Sequence, residues 1–131
     1  MSPFLTWLIS LLGPVLLEAL RDWLLSLLKN EAAVESGFQH LPRTTQVQRA
    51  FAAAIDLHHA EGDRIRARRD GLRWYQIGAR FAISRELGQH NRRTRLLYKL
   101  RDIALAAARE GRYKLRDDEA VDVAAVAADA V

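Results

Sequence analysis

Residues 4–29 read FLTWLISLLGPVLLEALRDWLLSLLK, a greasy opening to a chain that is otherwise rich in arginine. Gly13-Pro14 divides this stretch, because proline removes an amide donor and clashes with the preceding turn, so a helix kinks or restarts there. On a helical wheel the second piece, Pro14 to Lys29, is two-sided. Glu18, Arg21, Asp22, Ser26 and Lys29 form a wet side, and Leu16, Leu17, Leu20, Trp23, Leu24, Leu27 and Leu28 form an apolar one. The first piece, Pro3 to Leu12, has only Thr6 and Ser10 as a thin polar stripe.

Such an element needs an apolar surface to lie on. A secretory signal is disfavoured, since the segment MSPF carries no lysine or arginine and no small-x-small cleavage site follows. A membrane span is strained, because the uncharged stretch from Met1 to Leu17 is at the lower edge of the roughly 20 residues needed. A helix lying in the membrane interface puts its charges in water and its tryptophans at the headgroup boundary. The rival is burial against other protein subunits. Either way the expected contact residues are Trp7, Leu16, Leu20, Trp23, Leu24, Leu27 and Leu28. Coverage of this face by the chain's own small domain is the least expected outcome.

The rest of the chain also favours helix. Alanine, leucine and arginine dominate, with seven glycines and three prolines in 131 residues. The expected fold class is all-α: a kinked N-terminal amphipathic helix followed by a small bundle of three to four helices. The expected organisation is an anchor or assembly helix over residues 1–30, a linker over 31–43 containing Gly37 and Pro42, and a basic helical domain over 44–131. Thr45 with Gln48 forms a capping-box pattern, and Val47, Ala50, Phe51, Ala54, Ile55 and His58 recur at helical spacing, with Gly62 as the expected stop. Leu72 to Leu87 carries Trp74, Tyr75, Ile77, Phe81 and Ile83 on more than one face, which predicts the most buried helix, ended by Gly88. Asn91 is the expected cap of a helix over Arg92–Glu110, striped with Leu96, Leu100, Ile103, Ala104 and Ala107 and ended by Gly111. Asp117 opens a last, alanine-rich helix whose end is expected to fray.

The net charge of +4 is unevenly spread. Residues 1–63 and 102–131 each carry four basic and seven acidic side chains, while Arg64 to Arg101 holds twelve basic side chains against Asp70 and Glu86. This block attracts phosphates or acidic surfaces. Its candidate phosphate-binding residues are Arg66, Arg68, Arg69, Arg92, Arg93 and Arg95. The segment ISRELGQHNRRTRLLYKLRDIA resembles a helix-turn-helix. Ile83, Ser84, Leu87 and Gly88 match the first half and Leu97 a core position of the second, and the resemblance implies that Arg92, Arg93 and Arg95 face DNA. Gln89 and Thr94 depart from it, standing where the motif buries aliphatic residues. An ordinary helical hairpin with a basic turn is the preferred reading.

No catalytic signature is present. The chain has no cysteine, no glycine-rich phosphate loop and no G-x-S-x-G. The stretch DLHHAEGD lacks a second ligand pair, so His58 is expected as a hydrogen-bonded core histidine, and no metal or other cofactor is expected. His40 and His90 fall in expected loops. The resulting expectation is a non-catalytic protein, held to a membrane on its cytoplasmic side by residues 4–29. Residues 64–101 meet anionic lipid or nucleic acid. The alternatives are an oligomeric structural subunit, such as a phage virion component touching nucleic acid, and a DNA-binding regulator.

Overall fold

The computed structural model describes residues 2–34 and 40–131. Among them the protein is all-α, with five helices: α1 (Pro3–Leu12), α2 (Glu18–Val34), α3 (Arg43–Asp70), α4 (Ile77–Glu110) and α5 (Asp117–Ala130). Ser2 caps α1 by accepting the Leu5 amide at 3.2 Å, and Pro3 occupies the first turn, where its missing amide hydrogen costs nothing. Gly13-Pro14 breaks the run as expected, but through a 3-10 turn over Gly13–Val15. Leu16 is extended, and α2 starts only at Glu18. Of the linker over 31–43, Gly37 lies outside the described residues, the first part continues α2 to Val34, and α3 already begins at Arg43 behind Pro42.

Two expected breaks are absent. Gly62 lies inside α3 and Gly88 inside α4, so α3 runs 28 residues and α4 runs 34. A glycine within a helix costs only about 1 kcal/mol against alanine, which flanking tertiary contacts outweigh. Gly62 has a positive reason to be there: a Cβ on it would stand 2.6 Å from Nε2 of His90. The helix-turn-helix resemblance and the hairpin reading both fail for the same reason, since Gly88, Gln89 and Asn91 are continuous helix. Gly111 does end α4, in the left-handed conformation at φ 66°. Asp117 opens α5 as expected, and Glu119 accepts the Arg116 amide at 3.0 Å. The end of α5 is packed rather than frayed, with Val123, Ala127 and Ala130 buried.

The division into an appended helix and a separate domain is corrected by the packing. One core contains Phe4, Leu8, Leu12, Leu20 and Leu28 from α1 and α2 together with Phe51, Leu97, Leu100, Ala104 and Val123 from the other helices. Trp7 is tied in at two points. Its indole Nε1–H donates to the Arg112 carbonyl at 3.1 Å, and the Arg43 guanidinium lies 5.3 Å from its ring centre. Of the residues expected to meet lipid or another subunit, Trp7, Leu16, Leu20, Leu24, Leu27 and Leu28 are buried within the chain and Trp23 is half-buried. The physical reason is reach. Helices of 28 and 34 residues present enough facing apolar surface at one end to cover the leucine face except Leu17, which stays exposed.

α1, α2 and α5 pack around the end of the α3–α4 hairpin formed by the N-terminal half of α3 and the C-terminal half of α4. Beyond His58 on α3 and before His90 on α4, only Gly62, Ile65 and Ile83 are buried. The twelve residues beyond His58, 59–70, give an arm of roughly 18 Å at 1.5 Å per residue.

Candidate functional site

The arm ends in a six-residue turn, 71–76, between two helices. Gly71 closes α3 with its amide donating to the Ala67 carbonyl at 3.1 Å. The Gln76 side chain accepts the Arg73 amide at 2.8 Å, and Arg80 Nη1 donates to the Leu72 carbonyl at 3.3 Å. These bonds fix the turn without using its apolar side chains. Trp74 is 82% exposed, Phe81 69%, Ile77 60% and Tyr75 58%. Trp74 and Tyr75 meet only edge to face, with centroids 5.8 Å apart. Trp74, Ile77, Phe81, Arg80 and Ser84 line a shallow groove.

This corrects the reading of Leu72–Leu87 as the most buried helix. Apolar residues on several faces mark burial only when neighbouring elements surround the helix, and among the described residues none reaches this end of the arm. Four large apolar side chains standing together in water form an unusual surface.

The electrostatics of the tip are one-signed. Between Arg64 and Arg85 there are seven arginines and one acidic residue, Asp70. Arg64, Arg73 and Arg85 make no ion pair among the described residues. The six arginines expected to bind phosphate are mostly engaged elsewhere. Arg66 pairs with Asp63 at 3.1 Å, Arg68 with Glu86 at 2.6 Å, Arg69 with Asp70 at 3.5 Å and Arg95 with Asp129 at 3.2 Å. Arg93 lies over the Trp23 ring at 5.5 Å, and Arg92 is half-buried. Arg68 and Arg93 are brought together along one cleft between α3 and α4, but Arg95 turns to Asp129 of α5 and Arg69 to Asp70, so the six do not form one patch. Exposed pairs are worth little and give way to a stronger anion, so Arg68 and Arg69 remain usable at the tip.

At the other end of the arm His58 is the expected core histidine. Its Nε2–H donates to the His90 carbonyl at 3.2 Å and stands 2.8 Å from Thr94 Oγ1. Trp23 meets its ring edge-on at 5.6 Å. His90 is not in a loop: it sits inside α4, stacked on His58 with centroids 3.8 Å apart. Burial, and then the charge of His90, pushes the His58 imidazole down to about 4. His90 is also pushed below the usual histidine range, chiefly by burial.

No helix among the described residues is long and apolar enough to cross a membrane. Comparison with known proteins returns no match among protein-family models, curated proteins or solved structures.

Proposed function

We propose that this is a non-catalytic protein that docks on anionic membrane surfaces through the tip of its α3–α4 arm. The exposed cluster of Trp74, Tyr75, Ile77 and Phe81, with Arg80 beside it and seven arginines against one acidic residue over 64–85, carries this reading. Tryptophan and tyrosine suit the headgroup boundary, isoleucine and phenylalanine suit the acyl region below it, and arginine heads stay with the phosphates while their stems bury. The expectation of membrane association is kept, but its site moves from residues 4–29 to residues 68–85.

The magnitudes are adequate. Sinking about 100 Å² of each apolar side chain at about 25 cal/mol per Å² gives about 2.5 kcal/mol apiece. Each arginine near an anionic surface adds about 1 kcal/mol. Together these exceed the low end of the association cost, which starts at about 4 kcal/mol.

The test is co-sedimentation of the full chain with phosphatidylcholine vesicles, with and without phosphatidylglycerol. Binding should require the anionic lipid and weaken with salt. The double variant Trp74→Ser, Phe81→Ser removes about 5 kcal/mol and should weaken binding about a thousandfold or more. Equal binding by the double variant would overturn the proposal. So would tight binding to single-stranded nucleic acid without binding to vesicles, since the same rings would then be stacking on bases.

A further inference from the structure

Among the described residues, two buried side-chain polar atoms have no hydrogen-bond partner: Nδ1 of His58 and Nε of Arg93. Both residues line one cleft of about 470 Å³ where the arm leaves the bundle, together with Trp23 from α2, Glu61 and Arg64 from α3 and His90 from α4. Thr94 Oγ1, 2.8 Å from Nε2 of His58, gives its own proton to the His90 carbonyl at 2.9 Å, so this hydroxyl can only accept from His58. The His90 carbonyl can only accept, so Nε2 of His58 carries the proton and Nδ1 presents a bare lone pair. An imidazole that gives one N–H to a backbone carbonyl and keeps the other nitrogen open is arranged as metal-ligating histidines are. Glu61 lies three residues on, about one helical turn, and a ligand atom from each of His58, Glu61 and His90 falls within 4.8 Å of the other two.

We propose that His58, Glu61 and His90 bind one divalent transition-metal ion, with zinc the best match. Two imidazoles and one carboxylate are a three-ligand set that zinc takes in sites with an open fourth position. Closing onto distances of about 2.0–2.2 Å requires two movements. Glu61 is exposed and turns freely. The stacked rings hold their lone pairs in nearly parallel planes, so His90 must turn out of the stack. Gly62 leaves the room, since its missing side chain is what His90 Nε2 rests against. The cleft that holds these three residues is also lined by Arg64, Arg68 and Arg93. Their charge opposes a bare dication and favours one carrying hydroxide or an acidic ligand. The ion would clamp α3 to α4 at the root of the arm.

The experiment is titration of the full chain with cobalt(II), read by its visible d–d bands, followed by displacement with zinc. Wild-type protein should give the bands of a four- or five-coordinate site at one ion per chain. Glu61→Gln leaves an exposed position without its charge and should weaken binding by about tenfold or more, as should His90→Gln. His59→Gln should bind like wild type, because His59 points instead to the Tyr98 hydroxyl at 3.1 Å. Absence of the bands, or unchanged affinity in Glu61→Gln, overturns the site. Glu61→Gln decides the matter even if His90→Gln fails to fold.

Discussion

The burial of the leucine face within the chain makes a sharp prediction. Leu28 is fully buried in α2, whereas Leu17, just before that helix, is 53% exposed. Both belong to the apolar side of residues 14–29. Leu28→Ala removes about three methylene-sized groups from the core, a transfer loss of about 2.4 kcal/mol at about 0.8 per group. The residual cavity adds to this, and the total should reach about 3–4 kcal/mol. Leu17→Ala should stay within about 0.5 kcal/mol, as exposed substitutions do. In a chain whose whole stability is about 5–15 kcal/mol, the first change is severe. Urea unfolding followed by far-ultraviolet circular dichroism, in buffer free of lipid and detergent, measures both. The midpoint of Leu28→Ala should fall well below wild type with an unchanged slope. If the two variants share the wild-type midpoint, the leucine face is not in the core, and a helix lying on lipid or on another subunit returns as the better reading. Lipid-free conditions matter because a membrane-held helix would add nothing to stability there.

Further consequences follow from particular contacts. Gly88→Ala meets only the Arg92 guanidinium at an ordinary 3.6 Å, so helix propensity should raise stability by about 0.5–1 kcal/mol. Gly62→Ala gains the same propensity but drives a Cβ to 2.6 Å from His90, so thermal unfolding should show it to be no more stable than wild type, and cobalt binding should fall with it. The substitutions Trp74→Ser and Phe81→Ser should each leave unfolding stability within about 0.5 kcal/mol of wild type while membrane binding weakens by about fiftyfold. Arg112 and Arg116 hold the carboxyls of Glu119 and Glu110 below the usual carboxylate range through hydrogen-bonded ion pairs. With folded values depressed, the stabilisation is complete above the ordinary carboxylate range and is lost progressively as pH falls from that range through the depressed folded values. Glu119→Gln should therefore flatten the acid limb of a stability–pH curve and leave the neutral region lowered. Trp7→Phe keeps the ring's burial but drops the bond to the Arg112 carbonyl, at a cost of about 1 kcal/mol in the same denaturation assay.

Periodicity and local punctuation were enough for much of this fold. The all-α class, the break at Gly13-Pro14, the opening of α5 at Asp117 and the end of α4 at Gly111 depend on backbone chemistry within a few residues, and they were legible. So was the role of His58, whose place on the stripe of Val47, Phe51 and Ile55 marks it as buried. The failures have a common cause. Gly62, Gly88 and Asn91 carry stop and cap signals worth about 1 kcal/mol each, and the long-range packing of α3 on α4 exceeds them. A tertiary contact also explains Gly62 directly, because His90 occupies the space its side chain would need.

The same limit separates the two candidate sites. The tip was visible as RWYQIGARF, but its four apolar residues look alike whether a neighbour covers them or none does. The pairing of His58 and Glu61 with His90 was invisible, since the third ligand is 29 residues away and belongs to another helix. By itself the sequence determined that residues 4–29 form a kinked, one-sided element in need of an apolar surface. Only the tertiary structure decided that α3, α4 and α5 supply that surface, because an amphipathic helix records that it must be buried and carries no mark of what buries it. The structure likewise decided that the exposed apolar surface lies at the far end of the arm.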